Sequence, residues 1–272
     1  MEQEIRTSFI DHILLQHKLN SIIDPNWYKN LIMQDFSRAA RAELYEAINS
    51  IPWQWWKKTE FDFYNFKIEL IDTYHFILSA IILESNIFKN KNVLDSLQML
   101  LDQSLDEEVV DYKYFEELYD IKIEFLRNIL MIIENNFIKA DKIKLFMYDD
   151  NSFIKHTYDN LLFNDPSDIS YKKIFDYIDE IVCITNYATE QCPCYSIMDK
   201  FIKLCSMVMT FYEFDLLYRI KNKINQLRQE KQYKETLKAR LLNGKDDNEF
   251  IIDIVYREQK IKSYEEFEKL LS

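Results

Sequence analysis

A chain of 272 residues, nearly half of them apolar, is long enough to bury a sizeable core. One glycine and four prolines are too few for a sheet built on tight hairpins, so the composition favours helices joined by short polar loops. A net charge of −12 argues against general nucleic-acid binding through a basic surface.

From the N-terminus, Ile5, Phe9, Ile13, Leu14 and Leu19 share one broad face, which predicts a helix over residues 4–20. Asp24, Pro25 and Asn26 end it. A second helix is expected from about Trp27 to Ser50. A turn crowded with Trp53, Trp55 and Trp56 follows, and then a third helix from about Asp62 to Ser85. The link between them is short, so these two helices should be antiparallel neighbours. Residues 94–105, 114–137 and 172–187 read as amphipathic helices, and residues 164–168 as a breaker. Residues 198–229 read as one long helix or two abutting ones. Residues 243–248 form a loop that caps a helix over 249–258, and a short helix over 263–271 comes last. The pattern predicts an all-α helical bundle: a single domain over 1–272 with a divergent middle region at about 86–190.

The cysteines are Cys183, Cys192, Cys194 and Cys205, and Cys192 and Cys194 stand too close for the usual zinc spacing. They read as reduced, mostly core residues. Met1 to Arg6 lacks the basic start and apolar core of a signal peptide, and the most apolar stretch, residues 76–83, is far too short to span a membrane. The expectation is a cytoplasmic protein without a membrane partner.

Two carboxylate pairs carry the chemistry. Glu43 and Glu46 lie on the second predicted helix, Glu69 and Asp72 on the third, each pair with i, i+3 spacing. That spacing puts both side chains of a pair on one helix face, about a turn apart. Side-by-side helices would then gather four oxygen ligands, whose repulsion demands cations. Mg²⁺ suits such a set, because it is hard and bridges protein carboxylates to phosphates. The flanking residues Leu44, Ala47, Ile48, Ile68, Leu70, Ile71 and Tyr74 are apolar, and carboxylates buried among such residues are paired or metal-bound. The acidic chain also carries a basic stretch: from Arg219 to Arg240 there are eight Lys or Arg against two acids, Glu230 and Glu235.

Residues 43–57, with Glu43, Glu46, Trp53, Trp56 and Lys57, followed by residues 65–78, with Asn65, Glu69, Asp72, His75 and Phe76, resemble the dimeric all-α dUTPases. That family sits within the all-α nucleoside triphosphate pyrophosphohydrolases. Leu15 to Asn20 is similar to the family's first helix, and residues 217–229 and 243–249 resemble its C-terminal segments. The resemblance covers about residues 12–85 and 210–256. It implies that Glu43, Glu46, Glu69 and Asp72 hold two or more Mg²⁺ ions against the triphosphate. It also implies that activated water, deprotonated by an acid for which Glu43 is the choice, attacks the β-phosphorus of dUTP, and that dUDP is hydrolysed too. Gln16 and Asn20 would meet the uracil edge, and Trp55, Trp56, His75 and Phe76 would line the base or sugar pocket. Lys57, Lys221, Arg228 and Lys234 would neutralise phosphate, and Asn225 and Asn248 would add polar contacts. The resemblance also implies a homodimer. Two departures stand out. Residues 230–235 contain no glycine where relatives often carry a Gly-rich stretch, and Tyr74 stands where the family usually has Trp before His.

Two other readings compete with dUTP hydrolysis. One is the same chemistry on dCTP or another deoxynucleotide. The other is a dUTPase-like dimer whose divergent middle region binds a regulatory protein.

Overall fold

A computed structural model describes residues 1–89, 122–148, 171–186, 194–229 and 244–271. Its elements are α1 (Glu2–Ile23), α2 (Trp27–Asn30), α3 (Met33–Asn49), α4 (Phe63–Ser85), a 3₁₀ turn (Ile87–Lys89), α5 (Ile123–Tyr148), α6 (Tyr171–Asn186), α7 (Cys194–Val208), α8 (Phe211–Gln229), α9 (Asp247–Ile252), a π segment (Asp253–Arg257) and α10 (Tyr264–Leu271). The described residues contain helices and no strand, as an all-α fold requires.

Helix α4 is the axis of the bundle. Ile68, Leu70, Ile71, Tyr74, Ile77, Leu78, Ile81 and Ile82 are all buried, so the helix is apolar nearly all round. A helix of that kind belongs inside. It packs against α1, α3, α5, α7, α8 and α9, most extensively against α3. Asp62 caps its start, its carboxylate accepting the Asn65 amide at 3.1 Å. Asn86 ends it in the left-handed region at φ 57°, which Asn tolerates.

The expected single helix from Trp27 to Ser50 is two helices. Leu31 and Ile32 are extended, and the Asp35 carboxylate accepts the Ile32 amide at 3.1 Å, which starts α3 afresh. Helix α3 then runs into the link over residues 50–62, where the Asp62 amide donates to the Ser50 carbonyl at 2.9 Å. The C-terminal end of α3 therefore meets the start of α4, and the two lie antiparallel. The stretch 198–229 also resolves into two helices. Thr210 breaks it by accepting the Glu213 amide on its hydroxyl at 3.2 Å, as an N-cap does.

The expected helix over 114–137 starts, among described residues, at Ile123 and continues past Phe137 to Tyr148. The expected helix over 94–105 and the breaker at 164–168 lie outside the described residues. Gly244 takes φ 82°, a conformation that disfavours any side chain, and Asp246 then caps α9 by accepting the Glu249 amide at 2.7 Å. The expected helix over 249–258 starts two residues earlier and loosens to a π turn at Asp253. Among the described residues no helix is long and apolar enough to cross a membrane. Cys183 is exposed, and Cys194 and Cys205 are buried.

Candidate active site

Helices α1, α3, α4, α8 and α9 surround one cavity of about 730 Å³, a size suited to a small-molecule ligand. Its walls collect most of the residues picked out from sequence. Gln16 and Asn20 come from α1, Glu43 and Glu46 from α3, and Glu69, Asp72, His75 and Phe76 from α4. Lys221, Asn225 and Arg228 come from α8, and Asn248 from α9.

The i, i+3 spacing works as expected because α3 and α4 lie side by side. Glu43, Glu69 and Asp72 each bring a carboxylate oxygen within 4.8 Å of the others. Glu46 lines the same cavity from an exposed position outside this tight group. The group is electrostatically strained. Burial, then the neighbouring charge of Asp72, pushes the Glu43 and Glu69 carboxyls up to about 7. Asp246 and Asp247 also line the cavity, so among the described residues six carboxylates face two cations, Lys221 and Arg228.

Lys221 is the buried counter-charge. Its ammonium lies 2.8 Å from an Asp72 oxygen and donates to Asn248 Oδ1 at 2.5 Å. Asn248 passes the contact on: its Nδ2 donates to Glu69 Oε1 at 2.9 Å and to Asn65 Oδ1 at 3.1 Å. Asn65 in turn donates to Glu69 Oε1 at 3.2 Å and to the Ser50 hydroxyl at 2.9 Å. Asn248 and Lys221 thus tie α9 and α8 to the acidic face of α4. Arg228 stands at the rim, half exposed and 2.8 Å from Asp247.

The amide end of the cavity is built differently. Gln16 and Asn20 are buried and bonded to each other, with Gln16 Nε2 donating to Asn20 Oδ1 at 2.9 Å. His75 donates from Nδ1 to the Ile71 carbonyl at 2.8 Å, and its buried Nε2 has no hydrogen-bond partner among the described residues. Burial lowers the His75 pKa to about 4, so the ring is neutral near pH 7 and Nε2 is an unused acceptor.

One group of sequence candidates falls elsewhere. Trp55, Trp56 and Lys57 are exposed on the link between α3 and α4 and do not line the cavity. Trp55 is 91% exposed, and its ring meets Trp56 edge-on at 5.6 Å. The physical reason is the link itself, which carries these side chains beyond the end of the helix pair and turns them to solvent. Lys234 lies outside the described residues. Sequence reasoning also passed over residues that belong here. Asp246 and Asp247 line the cavity from the α9 cap, and Asn65 sits one turn before Glu69 on the same face of α4. Ser79, one turn after His75, bonds both amides from below. The i±4 spacing was the available signal for Asn65 and Ser79.

The donor set fits divalent metal: three clustered carboxylates, two of them raised by burial and then by neighbouring charge, in a cavity whose described residues supply little positive charge. A comparison with curated proteins returns no match. A family model described as dUTPase matches residues 11–233, most of the chain and all of the cavity wall except α9 and its cap. With an all-α fold that sets paired carboxylates beside buried amides, and with that match, the chain belongs to the dUTPase family, enzymes that hydrolyse dUTP.

Proposed function

We propose that the chain hydrolyses dUTP, and dUDP as well, in a Mg²⁺-dependent reaction that attacks the β-phosphorus. Water adds to that phosphorus, the bond to the oxygen bridging to the α-phosphorus breaks, and dUMP leaves; the other product is pyrophosphate from dUTP or phosphate from dUDP. The observation that carries this reading is the imbalance of charge among the described residues of the cavity, six carboxylates to two cations. A triphosphate cannot enter such a site without added positive charge.

Glu43, Glu69 and Asp72, with Glu46 beside them, would hold two or more ions. When bound, Mg²⁺ would neutralise phosphate charge and make water a better nucleophile. Glu43 is assigned as the proton acceptor, since it belongs to the tight acidic group and its surroundings already favour a proton there. Lys221 and Arg228 would bind phosphate oxygens, joined by Lys234. Asn225 and Asn248 would orient sugar or phosphate. Gln16 and Asn20 would meet the uracil edge, with His75 and Phe76 closing the pocket around the ring. Trp55, Trp56 and Lys57 stay outside this assignment, because they stand in solvent. The chain is read as a single domain that acts as a cytoplasmic homodimer.

Hydrolysis in ¹⁸O-labelled water tests the reaction. The label should appear in pyrophosphate and not in dUMP, and turnover should vanish with chelator and return with Mg²⁺. Label in dUMP would move the attack to the α-phosphorus, and turnover indifferent to chelator would remove the metal.

A further inference from the structure

Beneath the amide end of the cavity lies a hydrogen-bonded junction that has no part in phosphate chemistry. Ser79 is 1% exposed. Its hydroxyl donates to the His75 carbonyl at 2.8 Å, which uses its only proton. It can then only accept, and it does so twice, from Gln16 Nε2 and from Asn20 Nδ2, both at 3.0 Å. A carbonyl cannot donate, so neither amide can turn its oxygen toward Ser79 without leaving two acceptors face to face. The NH₂ groups of both amides must therefore point at Ser79.

Tyr218 fixes the other end. It is fully buried, and its hydroxyl lies 3.1 Å from Gln16 Oε1 and 3.0 Å from the His12 carbonyl, both acceptors for its proton. Gln16 spends its second N–H on Asn20 Oδ1 at 2.9 Å. Three capacities remain for a ligand: one N–H and one lone pair on Asn20, and one lone pair on Gln16.

That remainder matters because uracil and cytosine differ only in the polarity of one edge. Uracil offers an acceptor at position 4 and a donor at N3. Cytosine offers a donor at position 4 and an acceptor at N3. A freely turning amide satisfies either base, whereas a locked one satisfies a single polarity for a given pose and leaves the other base with a buried mismatch.

We propose that Ser79, backed by Tyr218, is a specificity-determining positioning residue that holds the Gln16 and Asn20 amides in the orientation for uracil and so excludes cytosine. The proposal rests on the assignment of Gln16 and Asn20 to the base.

The test is kcat/KM for dUTP and dCTP, with Mg²⁺, in the native chain and in Ser79→Ala, Ser79→Thr, Tyr218→Phe and Asn20→Ala. Ser79→Ala frees both amides, and the dUTP-to-dCTP ratio should fall by about tenfold or more. Ser79→Thr keeps the hydroxyl and should keep the ratio. Tyr218→Phe should lower it in the same direction and serves as the readout if Ser79→Ala does not fold. Equal loss on both substrates in Ser79→Ala, or in Tyr218→Phe in its place, would reduce the junction to packing and overturn the proposal. A ratio that responds to Asn20→Ala but not to Ser79→Ala removes the lock alone. A ratio indifferent to Asn20→Ala removes the base assignment and the lock with it.

Discussion

The Lys221 ammonium on α8 lies 2.8 Å from the Asp72 carboxylate on α4, so the chain supplies a buried cation of its own to a site that gathers acids. Both side chains are largely buried, and removing one partner of such a pair leaves an uncompensated charge. Lys221→Met is expected to lower the melting temperature without metal and to recover most of the loss when Mg²⁺ is added. It should also weaken dUTP binding. Thermal unfolding with and without Mg²⁺ checks the first part, and KM for dUTP the second. A melting temperature insensitive to Mg²⁺ in the mutant would count against metal at Asp72.

Glu43→Gln should keep the fold and lose about 10²-fold or more in kcat. The amide keeps the shape of the side chain but cannot take a proton or carry a ligand charge. Because burial and the charge of Asp72 already disfavour the Glu43 carboxylate, the metal-free mutant should unfold at no lower a temperature than the native chain. Near-normal turnover would reassign the proton acceptor.

Arg228→Ala should leave stability almost unchanged, since its pairing with Asp247 is half in solvent and such pairs contribute about 0–1 kcal/mol. Turnover and triphosphate affinity should both fall, as expected of a cation that meets charge developing on phosphate. Unchanged kinetics in the folded mutant would make Arg228 a surface residue only.

His75 should leave a mark on acid stability. Burial lowers its pKa from 6.5 to about 4, so the folded chain binds this proton less readily than the unfolded chain. The stability it confers is present above 6.5 and is lost as pH falls toward 4, by up to about 1.4 kcal/mol per pH unit. Glu43 and Glu69, raised to about 7, work in the opposite sense over much of this window. The informative quantity is therefore the difference between the native chain and His75→Gln in denaturant melts at pH 7, 6 and 5. The native chain should lose stability relative to the mutant at each step down.

A homodimer should sediment at twice the 33.1 kDa chain mass at micromolar concentration. Trp53, Trp55 and Trp56 form an exposed set of indoles in edge-on contact, the kind of aromatic surface that protein interfaces favour. A strictly monomeric boundary would exclude the dimer.

The carboxylate pairs were legible before any fold was known, because i, i+3 spacing on a helix determines which side chains share a face whatever the helix packs against. Local pattern also made legible the extent of α4, from about Asp62 to Ser85, and the loop over 243–248 that caps α9. Where the local pattern was ambiguous, hydrogen bonds local to the chain decided it: Asp35 splits the second helix, and Thr210 separates α7 from α8. Trp55 and Trp56 stand apart from the cavity for a related reason. Their neighbours in sequence are the carboxylate helices, but a link leaving the end of a helix pair is free to turn outward, and nothing in its own residues shows which way it goes.

Length, spacing and composition determined an all-α chain with acids paired on adjacent helices, since those properties follow from helical geometry and from the cost of exposing apolar faces. Only the tertiary structure decided which distant residues answer the acids and the amides. Asp72 meets Lys221, Glu69 meets Asn248, and the hydroxyls of Ser79 and Tyr218 set the Gln16 amide. These contacts join helices far apart in the chain. Each is a matter of side chains meeting across a packed interface, and no periodicity along a single helix encodes its partner.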